Sequence, residues 1–127
     1  MNQKQEMLEY IQENSGIATI SDLEYMFYND NKDDDEFLWR LYFDKEKNQI
    51  AWITRKKEFY EDILDLSSKK EIIVQSTSNP IIIFTSKMLN LPITKNPRLN
   101  YKNEHWTPCI VLDGNQHRDF WIDYNEK

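Results

Sequence analysis

Apolar residues near the start of the chain fall at helical spacing. Met7, Leu8, Tyr10 and Ile11 recur among Glu and Gln, and Ser15-Gly16 supplies a stop, so the pattern predicts a helix over residues 3–14. Residues 17–20, IATI, read as a short extended segment. Ser21 then suits a helix N-cap, with Asp22 and Glu24 complementing the positive end of the helix dipole. Leu23, Met26 and Phe27 would form the buried stripe of this second helix. Residues 29–36, NDNKDDDE, have no apolar anchor and read as an exposed loop.

Residues 37–43 (FLWRLYF) and 49–54 (QIAWIT) are rich in aromatic and aliphatic side chains, and the polar DKEKN between them suits a hairpin turn. Helical spacing returns over residues 55–67, with Phe59, Tyr60, Ile63, Leu64 and Leu66 as the apolar face. Residues 72–74 and 81–84 read as strands separated by a turn at Asn79-Pro80. Thr85 or Ser86 can cap a short helix, SKMLNL, which Pro92 ends; Pro97 rules out a long regular element beyond it. A second hairpin is predicted from residues 106–112 (WTPCIVL), a DGNQ turn and residues 118–124 (RDFWIDY).

The two hairpins share residues at nearly constant offset: Trp39 and Trp106, Asp44 and Asp113, Gln49 and Gln116, Trp52-Ile53 and Trp121-Ile122. With helix, strand and capped helix preceding the hairpin in each half, an internal duplication is expected. Residues 1–54 would form one unit, and residues 55–127, beginning with the central helix, the other. Helix, strand, helix and hairpin is the layout of a winged helix-turn-helix, although neither half shows a long third helix. The expected fold is α+β, a tandem winged helix acting as a pseudo-dimer in one compact body. The plainer alternative is a single α+β domain whose hairpins resemble each other.

At 127 residues there is room for one ordinary domain or two very small units sharing a core, and 6 Phe, 4 Trp and 7 Tyr supply apolar surface for it. The net charge of −6 weighs against a polyanionic partner. Its distribution changes that picture. Residues 1–37 carry a net −8, residues 38–71 a net +1 and residues 104–127 a net −3, whereas residues 72–103 carry +4 with no carboxylate at all.

Phosphate contact needs cationic and hydrogen-bonding groups free of carboxylates, and residues 72–103 are the only long stretch of that kind. Ser86, Lys87 and Asn90 fall on the SKMLNL helix. Lys95, Asn96, Arg98, Asn100 and Lys102 follow, and Asn and Arg are the side chains suited to adenine and guanine edges. Tyr101 could stack or touch backbone. A second basic cluster, Arg55, Lys56 and Lys57, opens the central helix, where cations oppose the dipole and call for an explanation. The competing reading of both groups is an ordinary solvated surface. The acidic residues 22–36 would turn away from DNA or meet a protein partner.

Other chemistry finds little purchase. Asp30, Asp33 and Asp35 suggest a calcium loop, but the required glycine and the closing Glu are missing, the latter position being Leu41. His105 and His117 lie in no zinc-binding arrangement. With Gly16 and Gly114 as the only glycines there is no phosphate-cradling loop, and no nucleophile elbow accompanies the serines. No catalytic role, metal or cofactor is expected. Cys109, the single cysteine, sits in an apolar run and reads as a small buried hydrophobe. The amino terminus lacks the apolar core of a signal peptide and no run is long enough to span a bilayer, so a cytoplasmic location is expected.

The paired W…D…Q…WI hairpins, the duplicated winged-helix layout, the size and the acidic balance resemble the small TraN-type repressors of conjugative plasmids from Gram-positive bacteria. That resemblance implies sequence-specific binding of double-stranded DNA and negative regulation of transfer genes. It also implies a monomer whose two units form an internal pseudo-dimer. The rival expectation, from the −8 balance of residues 1–37, is an acidic protein-interaction module or inhibitor of the DNA-mimic, anti-restriction kind.

Overall fold

The computed structural model describes residues 2–14, 18–28, 37–80, 83 and 89–114. Helix α1 (Gln3–Glu13) is capped by Asn2, whose side chain accepts from the Gln5 N–H at 2.9 Å, and it buries Met7, Leu8 and Ile11. Strand β1 (Ala18–Thr19) runs directly into α2 (Ile20–Tyr28). Thr19, not Ser21, caps this helix: its Oγ1 accepts from the Asp22 N–H at 3.2 Å, while Ser21 is buried in the first turn. Because the helix starts at Ile20, the buried stripe runs Ile20, Leu23, Tyr28 with Phe27 partly covered. Met26, expected in that stripe, is 48% exposed.

Strands β2 (Trp39–Asp44) and β3 (Gln49–Thr54) form the expected hairpin around a short 3-10 turn, Lys45–Lys47. Phe37 and Leu38 precede the strand and are exposed. Asn48 closes the turn with φ 57°, a left-handed conformation that Asn tolerates better than most residues. Helix α3 (Lys57–Ser68) buries Phe59, Ile63 and Leu66. It is joined to α2 by the Tyr28 hydroxyl, which donates to Asp62 Oδ2 at 2.6 Å, and by an edge-on contact of the Tyr28 and Phe59 rings.

Strands β4 (Ile72–Ser76), β5 (His105–Trp106) and β6 (Cys109–Asp113) complete two three-stranded sheets, ordered β1-β6-β4 and β2-β3-β5. The run expected as one strand over residues 106–112 is therefore divided. Trp106 pairs parallel with Ile50 in one sheet, and Cys109–Asp113 belongs to the other, the chain crossing between them at Thr107-Pro108. Val111 has Ala18 on one side and Val74 on the other, so β6 is a central strand rather than the first arm of a hairpin. Residues 118–124, its expected partner, lie outside the described residues.

The strand expected over residues 81–84 is also overturned where it is described. Pro80 and Ile83 are helical, and the Ile83 N–H donates to the Asn79 carbonyl at 3.0 Å. Asn79-Pro80 opens a helical turn, a place where proline loses nothing by lacking an N–H. Gly114 is demanded by close approach: a Cβ there would lie 2.0 Å from the Lys70 carbonyl oxygen.

Each sheet combines strands from residues 1–54 with strands from residues 55–127. The order helix, strand, helix, hairpin is present in residues 3–54, but β1 pairs with β6 instead of the β2–β3 hairpin. One core joins α1, α2 and α3 to both sheets, through Met7, Ile11, Leu23, Tyr28, Phe59, Trp52, Ile72 and Val111 among others. Cys109 is buried in this core, as its apolar neighbours predicted, and burial pushes its thiol pKa up. Among the described residues no helix is long and apolar enough to cross a membrane.

Candidate nucleic-acid interface

Two consecutive residues, Asn48 closing the turn and Gln49 opening β3, organise the basic loop. Gln49 is fully buried, which costs free energy unless both ends of its amide are satisfied. Its Nε2 donates to the carbonyls of Pro97 (2.9 Å) and Leu99 (3.1 Å), and its Oε1 accepts from the Thr107 hydroxyl at 3.0 Å. Thr107 Oγ1 also lies 2.8 Å from Thr94 Oγ1. One hydroxyl proton serves one acceptor at a time, so Thr94 donates to Thr107 while Thr107 donates to Gln49. Next in line, the Asn48 side-chain amide donates to the Tyr101 carbonyl, and the Asn48 carbonyl accepts from the His105 N–H.

Further backbone bonds finish the frame. Tyr101 N–H donates to Lys47, Thr94 N–H to Trp106, and Trp106 N–H to Pro92. Within the loop, Asn96 Oδ1 accepts from the Arg98 N–H at 3.0 Å, an Asx turn, and the Tyr101 hydroxyl sits against both backbone groups of Asn96. The Tyr101 ring is stacked on His105 with centroids 3.9 Å apart. A segment without regular secondary structure is thus held at many points by one strand and one turn.

Of the residues singled out from sequence, this frame brings Lys95, Asn96, Arg98, Asn100, Tyr101 and Lys102 together. Lys95, Arg98, Asn100 and Lys102 are exposed, and among the described residues the three cations make no ion pair. Asn96 Oδ1 and the Tyr101 hydroxyl are instead engaged in shaping the loop. Asn90 is exposed in a bend, not on a helix as expected, and Leu89–Leu91 are not helical. Ser86 and Lys87 lie outside the described residues, as do the acidic residues 29–36.

Arg55, Lys56 and Lys57 stand apart from that loop. They follow the last residue of β3, whereas the loop is tied to its first, and six strand residues put roughly 17 Å between the two ends. The cations at the start of α3 have a physical explanation. Lys56 occupies the cap position but its side chain does not cap the helix, its N–H donates to Thr54 Oγ1 at 3.0 Å, and the Lys57 ammonium lies 5.7 Å from the centre of the Trp39 ring. A cation–π contact of that kind offsets some of the unfavourable dipole.

Carboxylates near the loop are largely answered. Glu104 Oε2 is 2.9 Å from Arg40 Nε, and Asp44 is 3.8 Å from Lys47 Nζ. Glu46 remains exposed on the turn beside Lys45. Sequence reading gave no part in the loop to Asn48, Thr94 and Thr107, and took Gln49 only as a matched position of the two hairpins; these four residues build the loop. The available signal was a Gln opening an otherwise apolar strand, QIAWIT, where a polar amide must find internal partners. Comparison with protein-family models, curated proteins and solved structures yields no match to this chain.

Proposed function

We propose that the protein binds double-stranded DNA through the loop of residues 94–102 and acts as a transcriptional repressor. The observation that carries this reading is a rigidly framed loop presenting Lys95, Arg98 and Lys102 to solvent without competing carboxylates inside it. A pre-ordered cationic loop meets phosphates without first losing conformational entropy. Arg98 and Asn100 are the candidates for base edges, with Lys95 and Lys102 on phosphates. The tandem winged-helix reading is supported by the element order of residues 3–54. The resemblance to TraN-type repressors extends the proposal to genes of plasmid transfer.

A second reading is favoured by a separate observation. Tyr25, 69% exposed, and Phe37, also 69% exposed, flank the acidic residues 29–36 and would suit a protein partner. Titration of a labelled DNA duplex at two salt concentrations separates the two readings. The triple variant Lys95→Ala, Arg98→Ala, Lys102→Ala should bind more weakly than wild type, with the slope of log affinity against log salt reduced by up to about 3. Equal binding by wild type and variant, or no binding by wild type, refutes the DNA reading and leaves the acidic face.

A further inference from the structure

Asn96, Pro97, Arg98 and Leu99 form a tight turn, closed by the Leu99 N–H donating to the Asn96 carbonyl at 3.1 Å. The sequence favours it. Proline at the second position presets φ, and the Asn96 side chain accepts from the Arg98 N–H at 3.0 Å. From below, the buried Gln49 amide donates to the Pro97 and Leu99 carbonyls. Leu99 is therefore fixed at its N–H by the turn and at its carbonyl by the core, yet it is 51% exposed. A sizeable apolar side chain stands in solvent on a backbone that is already held.

Its surroundings set it apart from other exposed apolar residues. Tyr25, Met26, Phe37, Leu38, Tyr42 and Leu64, the other large ones exposed among the described residues, each have a carboxylate within two positions in the sequence. Leu99 has none nearer than Glu104, and that one is bound to Arg40 at 2.9 Å. Arg98 and Asn100 flank it, both exposed, with Lys95 and Lys102 beyond them. An apolar tip among cations fits a partner that is anionic outside and apolar within. Stacked bases between two phosphate strands are such a partner.

We propose that Leu99 is a wedge: the 96–99 turn enters the minor groove, Leu99 inserts at a base step, and the duplex bends away from it. Arg98 and Asn100 carry N–H donors, which match the adenine N3 and thymine O2 acceptors on the minor-groove edge. Proteins that bind there combine such side chains with an apolar residue that partly unstacks a step and kinks the helix. Unstacking costs free energy. A wedge on a fixed backbone adds little loss of conformational entropy to that cost. The inference rests on the DNA-binding reading above and adds to it the groove, the inserting residue and the bend.

Ring closure by ligase of a fragment of about 120 base pairs tests the bend wherever the protein binds, because DNA shorter than its persistence length of about 150 base pairs seldom closes unaided. The fragment carries repeated TA steps, which kink most easily. The wild-type protein should raise the ring yield severalfold. Leu99→Ala alters an exposed side chain and removes no cation. It should fold as wild type and bind the fragment with the same slope of log affinity against log salt, while losing the added rings. Leu99→Phe, which also supplies an inserting side chain, should keep them. Wild-type protein that retards the fragment in a gel without raising the ring yield overturns the wedge and leaves DNA binding standing. Leu99→Ala that closes rings as well as wild type also overturns it. Wild-type protein that binds no DNA overturns the wedge together with the reading beneath it.

Discussion

Replacing Gln49 by leucine keeps nearly the same volume in a fully buried site while removing every bond that ties the basic loop to β3. The carbonyls of Pro97 and Leu99 lose their donor, and the Thr107 hydroxyl loses an acceptor. Leu99 is 51% exposed, so its carbonyl can turn to water, and Thr107 can turn its proton to Thr94. Pro97 is less exposed and has fewer choices. Counting about 1 kcal/mol for each lost bond, and discounting the exposed carbonyl, gives a loss of about 2 to 3 kcal/mol. Urea denaturation followed by tryptophan fluorescence measures that loss, and amide exchange at Leu99 and Tyr101 locates it. Both amides should exchange faster than in wild type, with the α1 amides unchanged relative to global stability. A loss below about 0.5 kcal/mol, the range of ordinary surface substitutions, with unchanged exchange in the loop, would refute Gln49 as its anchor.

Other substitutions probe the frame elsewhere. Gly114→Ala drives a methyl group into the Lys70 carbonyl, and thermal melts should register a cost of about 1 to 3 kcal/mol, as overpacking against backbone does. Tyr28→Phe removes the bond to Asp62, and denaturant titration at neutral pH should show a loss of about 1.5 to 3 kcal/mol. Burial and then Asp62 push the Tyr28 phenol pKa up, so its contribution is complete below the ordinary tyrosine value near 10 and falls as pH rises above it. Stability of the wild type should therefore decline more steeply than that of Tyr28→Phe above about pH 10.

Elements governed by local periodicity were legible in the sequence. The helical spacing of Met7, Leu8 and Ile11 and the aromatic and aliphatic runs around Trp39 and Trp52 place α1 and the β2–β3 hairpin within a residue or two of their bounds. Failures came where a long-range partner decides. Whether Trp106 continues into Cys109 depends on which sheet each joins, and Pro108, which has no N–H to donate, marks the crossing without naming the destination. Ile81 to Phe84 is apolar enough for strand or helix, and Asn79-Pro80 served equally as a turn or a helix start. The basic loop was recognised by composition. Its order was not, because the restraints come from Gln49, Thr94 and Thr107, residues distant in sequence whose roles appear only on pairing.

The pairing of Ala18 with Val111 sets a timetable for synthesis. β6 is the middle strand of its sheet, so neither β1 nor β4 has a neighbour until residues 109–113 have left the ribosome. The β2–β3 hairpin can assemble early, since its contacts are near in sequence and close only a short loop. β1 and the uncharged β4 must wait, exposed, for residues 109–113. During that interval β4 has both edges open, and premature release of the chain before residue 109 should give a product prone to aggregation through residues 72–76.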